Sequence, residues 1–303
     1  MAPRRNRGVI TIEAGDELET SKEIENQNWL FIRNAYRTKQ IITGVLGGIE
    51  TLDSGSHMAV AYCKGFRVLI PGSEMGIPDK ESEFSTANQR LLRIMSNMLG
   101  SEIDFIIKGV DNKERSAVAS RSEALAKKRK LFYYPTENSI QPLVQPGTEV
   151  EARVVAVVST AIRLEIFGVE TTIYNRELSW GWVGDARDHY TVGEQILARV
   201  NEIEFLENDE IRIMADVRST QEDNSLEMLR GCKTQGKYAG TVTHIYNDSI
   251  FLRLSNGVNA VAHSCYDRKT PTKKDQVTFV ITHINEERRL AVGLISKIIK
   301  RNL

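Results

Sequence analysis

Beyond about residue 40, apolar and polar positions alternate with a period of two, the spacing of strands that bury one face. The runs Ile41-Ile42-Thr43-Gly44-Val45, Met58-Ala59-Val60-Ala61-Tyr62, Arg67-Val68-Leu69-Ile70-Pro71 and Ile103-Asp104-Phe105-Ile106-Ile107 predict short strands. Gly, Asp and Ser punctuate them, as in a barrel of hairpins. Two segments keep a helical period instead. Ile24, Trp29, Ile32, Ala35 and Tyr36 fall near one face after Ser21, and Leu91, Leu92, Met95 and Met98 do so within residues 86–99. The first stripe is too short to stand alone, so that helix is expected beside the barrel that follows. The first twenty residues carry no periodicity and read as a mobile arm.

The same order of elements then recurs twice, which is the most informative pattern in the chain. From Gly147 the strands are Val150-Glu151-Ala152-Arg153-Val154, Ile162-Arg163-Leu164-Glu165-Ile166 and Thr172-Ile173-Tyr174, then residues 196–203 and Ile211-Arg212-Ile213. From Gly236 they are Tyr238-Ala239-Gly240-Thr241-Val242, Ile250-Phe251-Leu252-Arg253-Leu254 and Ala260-Val261-Ala262-His263, then residues 277–281 and Arg289-Leu290-Ala291-Val292. Five short strands with a longer connection after the third is the strand set of an OB-fold barrel. The expected class is therefore all-β with short helices, as three tandem five-stranded OB-fold barrels. The boundaries read as an arm and helix over 1–37, a first repeat over 38–134 with a basic C-terminal extension, and a proline-rich linker at 135–145. An acidic second repeat over 146–218, a polar linker at 219–231 and a basic third repeat over 232–303 follow.

Charge sharpens this division. The formal net charge of zero hides an acidic middle and a basic end. Residues 146–217 carry 6 basic and 14 acidic side chains, whereas 218–303 carry 14 basic and 8 acidic. The local field, more than the sum, decides what each repeat attracts.

Catalytic and metal chemistry find little to stand on. Cys63, Cys232 and Cys265 form no CxxC pair, so neither a zinc site nor a disulfide framework is expected. The five histidines lack metal spacing, and Asp185, Asp188 and His189 are the one suggestive cluster. No P-loop, GxSxG or GxGxxG occurs. No apolar stretch is long enough for a membrane span, and the basic start lacks a signal peptide's apolar core. The expectation is a non-enzymatic cytoplasmic protein with no cofactor and no membrane partner.

At this level of detail the repeats resemble those of bacterial ribosomal protein S-one. In the first repeat the likeness lies in the Trp29 to Tyr36 helix, Thr43-Gly44-Val45, Phe66-Arg67-Val68-Leu69-Ile70-Pro71-Gly72-Ser73, and the run from Asp111 to Arg121. In the second it lies in Arg176-Glu177-Leu178-Ser179-Trp180 and the Tyr190 to Gly193 segment. In the third it lies in Gly240, Val242, Asn256-Gly257-Val258 and Ala262-His263. The resemblance implies an RNA-facing surface with two aromatics three apart and a histidine on the third strand. The third repeat keeps Phe251 and His263 but has Asp248 at the first aromatic. The second has Thr160 and Arg163 at the aromatic positions and Tyr174 at the histidine. The first has Pro71 at the histidine, with Phe66 and Tyr62 nearby.

Unpaired RNA exposes flat bases and a charged backbone, so a binder needs aromatics and cations but no catalytic group. Phe251 and His263 are the candidate stacking groups. Arg253 shares a face with Phe251, and Tyr246 lies two positions from the expected first aromatic. Phe66 and Arg67 in the first repeat, and Arg163 and Tyr174 in the second, are the corresponding candidates. Lys127, Lys128, Arg129 and Lys130, followed by Phe132, Tyr133 and Tyr134, interleave cations with aromatics. Lys273, Lys274 and Arg289 belong to the basic end.

Plainer alternatives stand beside these. Phe251 suits core packing, and residues 127–134 suit a solvated helix end with its aromatics laid on a barrel. Trp180 and Trp182 suit a core, and Trp180 with its acidic neighbours suits a contact between the acidic repeat and a basic protein surface. The resulting expectation is a protein that holds single-stranded RNA, including mRNA, and docks on the small ribosomal subunit. The other reading is an adaptor whose barrels dock on ribosomal or other proteins.

Overall fold

Each alternating run folds as a strand with its apolar set turned inward, and the strands assemble into three barrels. The computed structural model describes residues 21–53, 55–77, 86–136, 140–247, 249–267 and 269–302. The N-terminal arm and Asp248, both read from sequence above, lie outside the described residues. The chain forms two compact units, one up to Ala126 and one from Lys127 onward.

In the first unit, α1 (Ser21–Thr38) buries Trp29, Ile32 and Ala35. Strands β1 (Ile41–Thr51), β2 (His57–Cys63) and β3 (Phe66–Pro71) precede α2 (Ala87–Asn97), and β4 (Glu102–Asp111) and β5 (Ser116–Ser120) follow. They close a barrel in the order β1-β2-β3-β5-β4, with β3 parallel to β5. A reciprocal capping box starts α2: Thr86 accepts from the Gln89 amide, and Gln89 accepts from the Thr86 amide. Helix α3 (Arg121–Tyr133) opens with Arg121, fully buried and donating to the Met75 carbonyl at 2.9 Å.

The second unit holds the other two barrels. Strands β6 (Glu149–Val158), β7 (Ala161–Ile166), β8 (Val169–Tyr174), β9 (Gln195–Phe205) and β10 (Ile211–Asp216) form a sheet in the order β10-β9-β6-β7-β8. Its outer strands are bridged where the Thr171 hydroxyl on β8 donates to the Ile213 carbonyl on β10 at 2.9 Å. The middle barrel is thus nearly closed. The β7–β8 hairpin turns through Phe167 and Gly168, whose φ angles of 46° and 90° match the twist of the strands they join.

After α4 (Asn175–Leu178) and α5 (Ser225–Arg230), the third barrel comprises β11 (Lys237–Tyr246), β12 (Ser249–Leu254), β13 (Asn259–Cys265), β14 (Gln276–Asn285) and β15 (Leu290–Lys300). It closes as β11-β12-β13-β15-β14, the plan of the first barrel. In all three barrels the first strand carries a bulge at the same stage of its pairing with the second. The bulges fall between Leu46 and Gly48, Val154 and Ala156, and Val242 and His244. A bulge adds local twist, which a five-stranded sheet needs in order to curl on itself. The sequence repeat is therefore a structural repeat, and the expected class of tandem five-stranded OB-fold barrels is the observed one.

The aromatics after the basic cluster take the plainer alternative. Phe132 stacks on Phe167 with centroids 4.0 Å apart, Tyr133 is buried and donates to the Ile166 carbonyl at 2.8 Å, and Tyr134 meets Phe205. Burial raises the Tyr133 phenol well above its ordinary pKa. Residues 127–134, read from sequence as an extension of the first repeat, pack on the middle barrel.

Candidate nucleic-acid interface

Alternation along β12 sends Ile250, Leu252 and Leu254 into the third barrel and leaves Ser249, Phe251 and Arg253 on its outer face. Pairing with β11 sets Tyr246 opposite Ser249, His244 opposite Phe251 and Thr241 opposite Arg253. Pairing with β13 sets Val261 opposite Phe251 and Asn259 opposite Arg253. His263 comes beside Ser249, its Nδ1 lying 3.4 Å from the hydroxyl. The outer face therefore has three rows, and they meet different surroundings.

The row of Tyr246, Ser249 and His263 faces solvent, with Tyr246 63% exposed. The middle row is covered. Trp182, from the connection between β8 and β9, stacks on Phe251 with ring centroids 4.4 Å apart and planes 7° from parallel. The third row is tied down by hydrogen bonds. Asn259 Oδ1 accepts from Arg253 Nη1 at 2.9 Å and from the Trp182 amide at 3.3 Å, while Asn259 Nδ2 donates to the Trp180 carbonyl at 3.4 Å. Desolvation lowers the Arg253 pKa from its ordinary value. A Cβ at position 181 would lie 2.2 Å from Arg253 Nη1, so a larger residue there would have to push the guanidinium aside.

Trp180 anchors the same seam. Arg218 lies 4.5 Å and Arg289 5.1 Å from its ring centroid, and its indole N–H donates to the Gln221 carbonyl at 3.2 Å. Arg289 also pairs with Asp223. Lys273 bonds Asp188 at 2.9 Å, and that hydrogen bond lowers the Asp188 pKa from its ordinary value. Lys274 lines the same side of the seam. Asp185 is held by Arg187, so the suggestive carboxylate cluster is engaged in ion pairs. Among the described residues no group of His, Cys, Asp and Glu has metal-holding geometry.

Between the two barrels lies a groove of about 1000 Å³. Tyr174, Trp180, Trp182 and Phe251 contribute its aromatic walls, and Arg176, Arg218, Arg288 and Arg289 its cations.

The remaining sequence candidates divide by environment. Phe66 is buried against Trp29 of α1, ring centroids 5.1 Å apart, so it offers no free face. Arg67 pairs with Glu50. Arg163 reaches Glu170 at 3.5 Å, across the outer face of the middle barrel. Lys128 bonds the buried Glu165 at 3.0 Å, and Arg129 donates to the Gly168 carbonyl at 3.0 Å. Lys127 and Lys130 are exposed on α3. Tyr174 is 53% exposed at the edge of the groove. Arg218 and Arg288 were not among the sequence candidates, and Arg176 stood only in the run that carries the family resemblance. The adjacent pair Arg288-Arg289 was the available signal for one of them.

Comparison with known families identifies the barrel from which the two tryptophans come. Residues 143–208 match the family described as the S1 RNA binding domain. The resemblance to the S1 family extends over nearly the whole chain. Small ribosomal subunit protein bS1 of Coxiella burnetii is 22% identical over 309 residues, covering 97% of this chain and 51% of the relative. Its counterpart in Pseudomonas aeruginosa is 20% identical over 314 residues, covering 95% and 52%. That of Mycobacterium tuberculosis is 22% identical over 296 residues, covering 93% and 59%. The chain thus spans about half the length of the curated relatives it matches. The S1 match falls on the acidic barrel, whose candidate stacking positions hold Thr160 and Arg163. No helix of the described residues is long and apolar enough to cross a membrane.

Proposed function

We propose that this chain binds single-stranded RNA through its S1-type barrels, without catalysing a reaction on it, as part of cytoplasmic translation. The supporting observation is the outer face of β11 to β13. Tyr246 and His263 stand exposed there on rigid strands, beside the seam that holds Phe251 and Arg253. Aromatic faces on a fixed sheet stack with any base, and nearby cations follow the phosphates. The S1 match and the ribosomal relatives favour RNA as the polymer and the small ribosomal subunit as the place of work. The adaptor reading rests on the first aromatic missing from each repeat, with the acidic middle barrel, its Trp180 and the neighbouring Trp182 as the protein-facing surface. Within this chain those tryptophans, with Asp188, already contact the third barrel.

Fluorescence anisotropy of a labelled single-stranded RNA tests the proposal, with a duplex of the same sequence as control. The single strand should bind more tightly, and binding should weaken with added salt as phosphate counterions are no longer released to advantage. The Tyr246→Ala/His263→Ala double variant should weaken it about tenfold, since each stacked base is worth roughly 1–3 kcal/mol. No binding at low salt would overturn the proposal.

A further inference from the structure

We propose that the groove between the middle and third barrels is a composite nucleotide site, built from both and complete in neither. It takes an unpaired stretch of RNA, with a base against Tyr174 and Trp182 and its phosphates against Arg176 and Arg288. The inference rests on the proposed function and names a place for the RNA that the outer strand face alone does not supply.

Charge is the first argument. The middle barrel region carries 14 acidic side chains against 6 basic, yet the described residues lining the groove include four arginines and no carboxylate. Asp223 already pairs with Arg289 and Glu177 meets Arg176, so the wall's attraction for an anion rests chiefly on Arg288 and on the exposed head of Arg176. The third barrel adds Arg288 and Arg289 from the β14–β15 turn, and the middle barrel side adds Arg176 and Arg218.

The second argument is which faces stay open. Trp180 is occupied by Arg218 and Arg289, and Phe251 by Trp182. Tyr174 is 53% and Trp182 46% exposed, so both retain ring surface for a ligand. Arg288 is exposed and has no acidic partner among the described residues, and Arg176 meets Glu177 only at 3.4 Å while remaining largely exposed. A ligand with flat rings and anionic oxygens satisfies both features together. An acidic peptide satisfies only the cations.

The groove is also braced across the seam. The tryptophan connection is clamped by Asn259, which bonds Arg253 on its own barrel and both tryptophan backbones on the other. These bonds hold the tryptophan connection against the third barrel, and a braced site has less ordering cost to meet on binding.

The test uses the full chain and Tyr174→Ala/Arg288→Ala, with Arg212→Ala as a control for loss of one surface cation elsewhere on the middle barrel. A labelled single-stranded RNA is titrated by anisotropy, and tryptophan emission is followed in parallel. Thermal melts confirm folding. The groove variant should bind about tenfold more weakly with an unchanged melt, and RNA should quench a component of emission that Trp182→Phe removes. If the groove variant binds like the parent while Tyr246→Ala/His263→Ala is impaired, the groove proposal fails and the RNA reading survives. If the parent binds no RNA, both fail. Displacement of emission changes by polyglutamate but not by RNA would mark an acidic-peptide site and also overturn it.

Discussion

The middle and third barrels share a strand plan and a bulge position but turn opposite surfaces outward. The middle one presents acids and two tryptophans on a long connection. The third presents lysines, arginines and an aromatic strand face. They meet along those differences, through Trp182 on Phe251, Asp188 with Lys273, and Asn259 between the backbones. The acidic repeat thus turns its tryptophans and Asp188 toward its neighbour. Its aromatics and one of its acids shape its neighbour, and only the leftover faces remain available to ligand. In a tandem array, the long connection of one repeat can be a partner surface for the next.

The comparison can be broken at several depths. The deepest cut is Phe279→Ala, which empties a fully buried site in the third barrel and should cost about 3–5 kcal/mol of that barrel's stability. In urea unfolding the third barrel should then melt first and the middle one later. A single shared transition would mean that the two barrels unfold only together.

Trp182→Ala leaves each core intact and removes the ring from Phe251. The aromatic pair alone is worth about 0.5–1.5 kcal/mol beyond its buried area, so the unfolding curve should broaden toward two steps. No change in midpoint or slope would show that the stack does not couple the barrels.

The gentlest probe is the exposed pair of Asp188 and Lys273. The hydrogen bond from Lys273 depresses the Asp188 pKa in the folded state. The pair therefore contributes stability above the ordinary aspartate pKa of about 4 and loses it as pH falls through the lower folded value. Exposed pairs contribute about 1 kcal/mol at most, so Lys273→Met should flatten the acid limb of the melting curve only slightly. An identical acid limb in parent and variant would remove the pair from the account of the seam.

Much of the fold was legible because it is local and repeated. Period-two runs, turn residues and three copies in one order leave few architectures. The face of β12 was legible too, since Phe251 and Arg253 share it by parity alone. What covers that face was not. Trp182 lies about seventy residues away in sequence, on a connection with no period of its own, and its contact with Phe251 exists only after both barrels form. Phe66 shows the same limit. By spacing it is an ordinary strand aromatic, and only the docking of α1 brings Trp29 over it. The partners of the cations were out of view for a related reason. Nothing in the spacing of Lys128, Arg129 and Arg163 shows that folding delivers Glu165, the Gly168 carbonyl and Glu170 to them.

The seating of Phe132, Tyr133 and Tyr134 has a practical consequence for anyone dividing the chain. A fragment of the middle barrel begun at Gly147, where the strand pattern starts, would strip the cover from Phe167 and Phe205. It would also leave the Ile166 carbonyl without its tyrosine donor and cut away Val144, whose amide holds the Phe132 carbonyl at 3.0 Å. Such a fragment would carry a sticky apolar patch of its own making. The cleavage point that respects the packing lies upstream of Lys127, within the continuous helix α3.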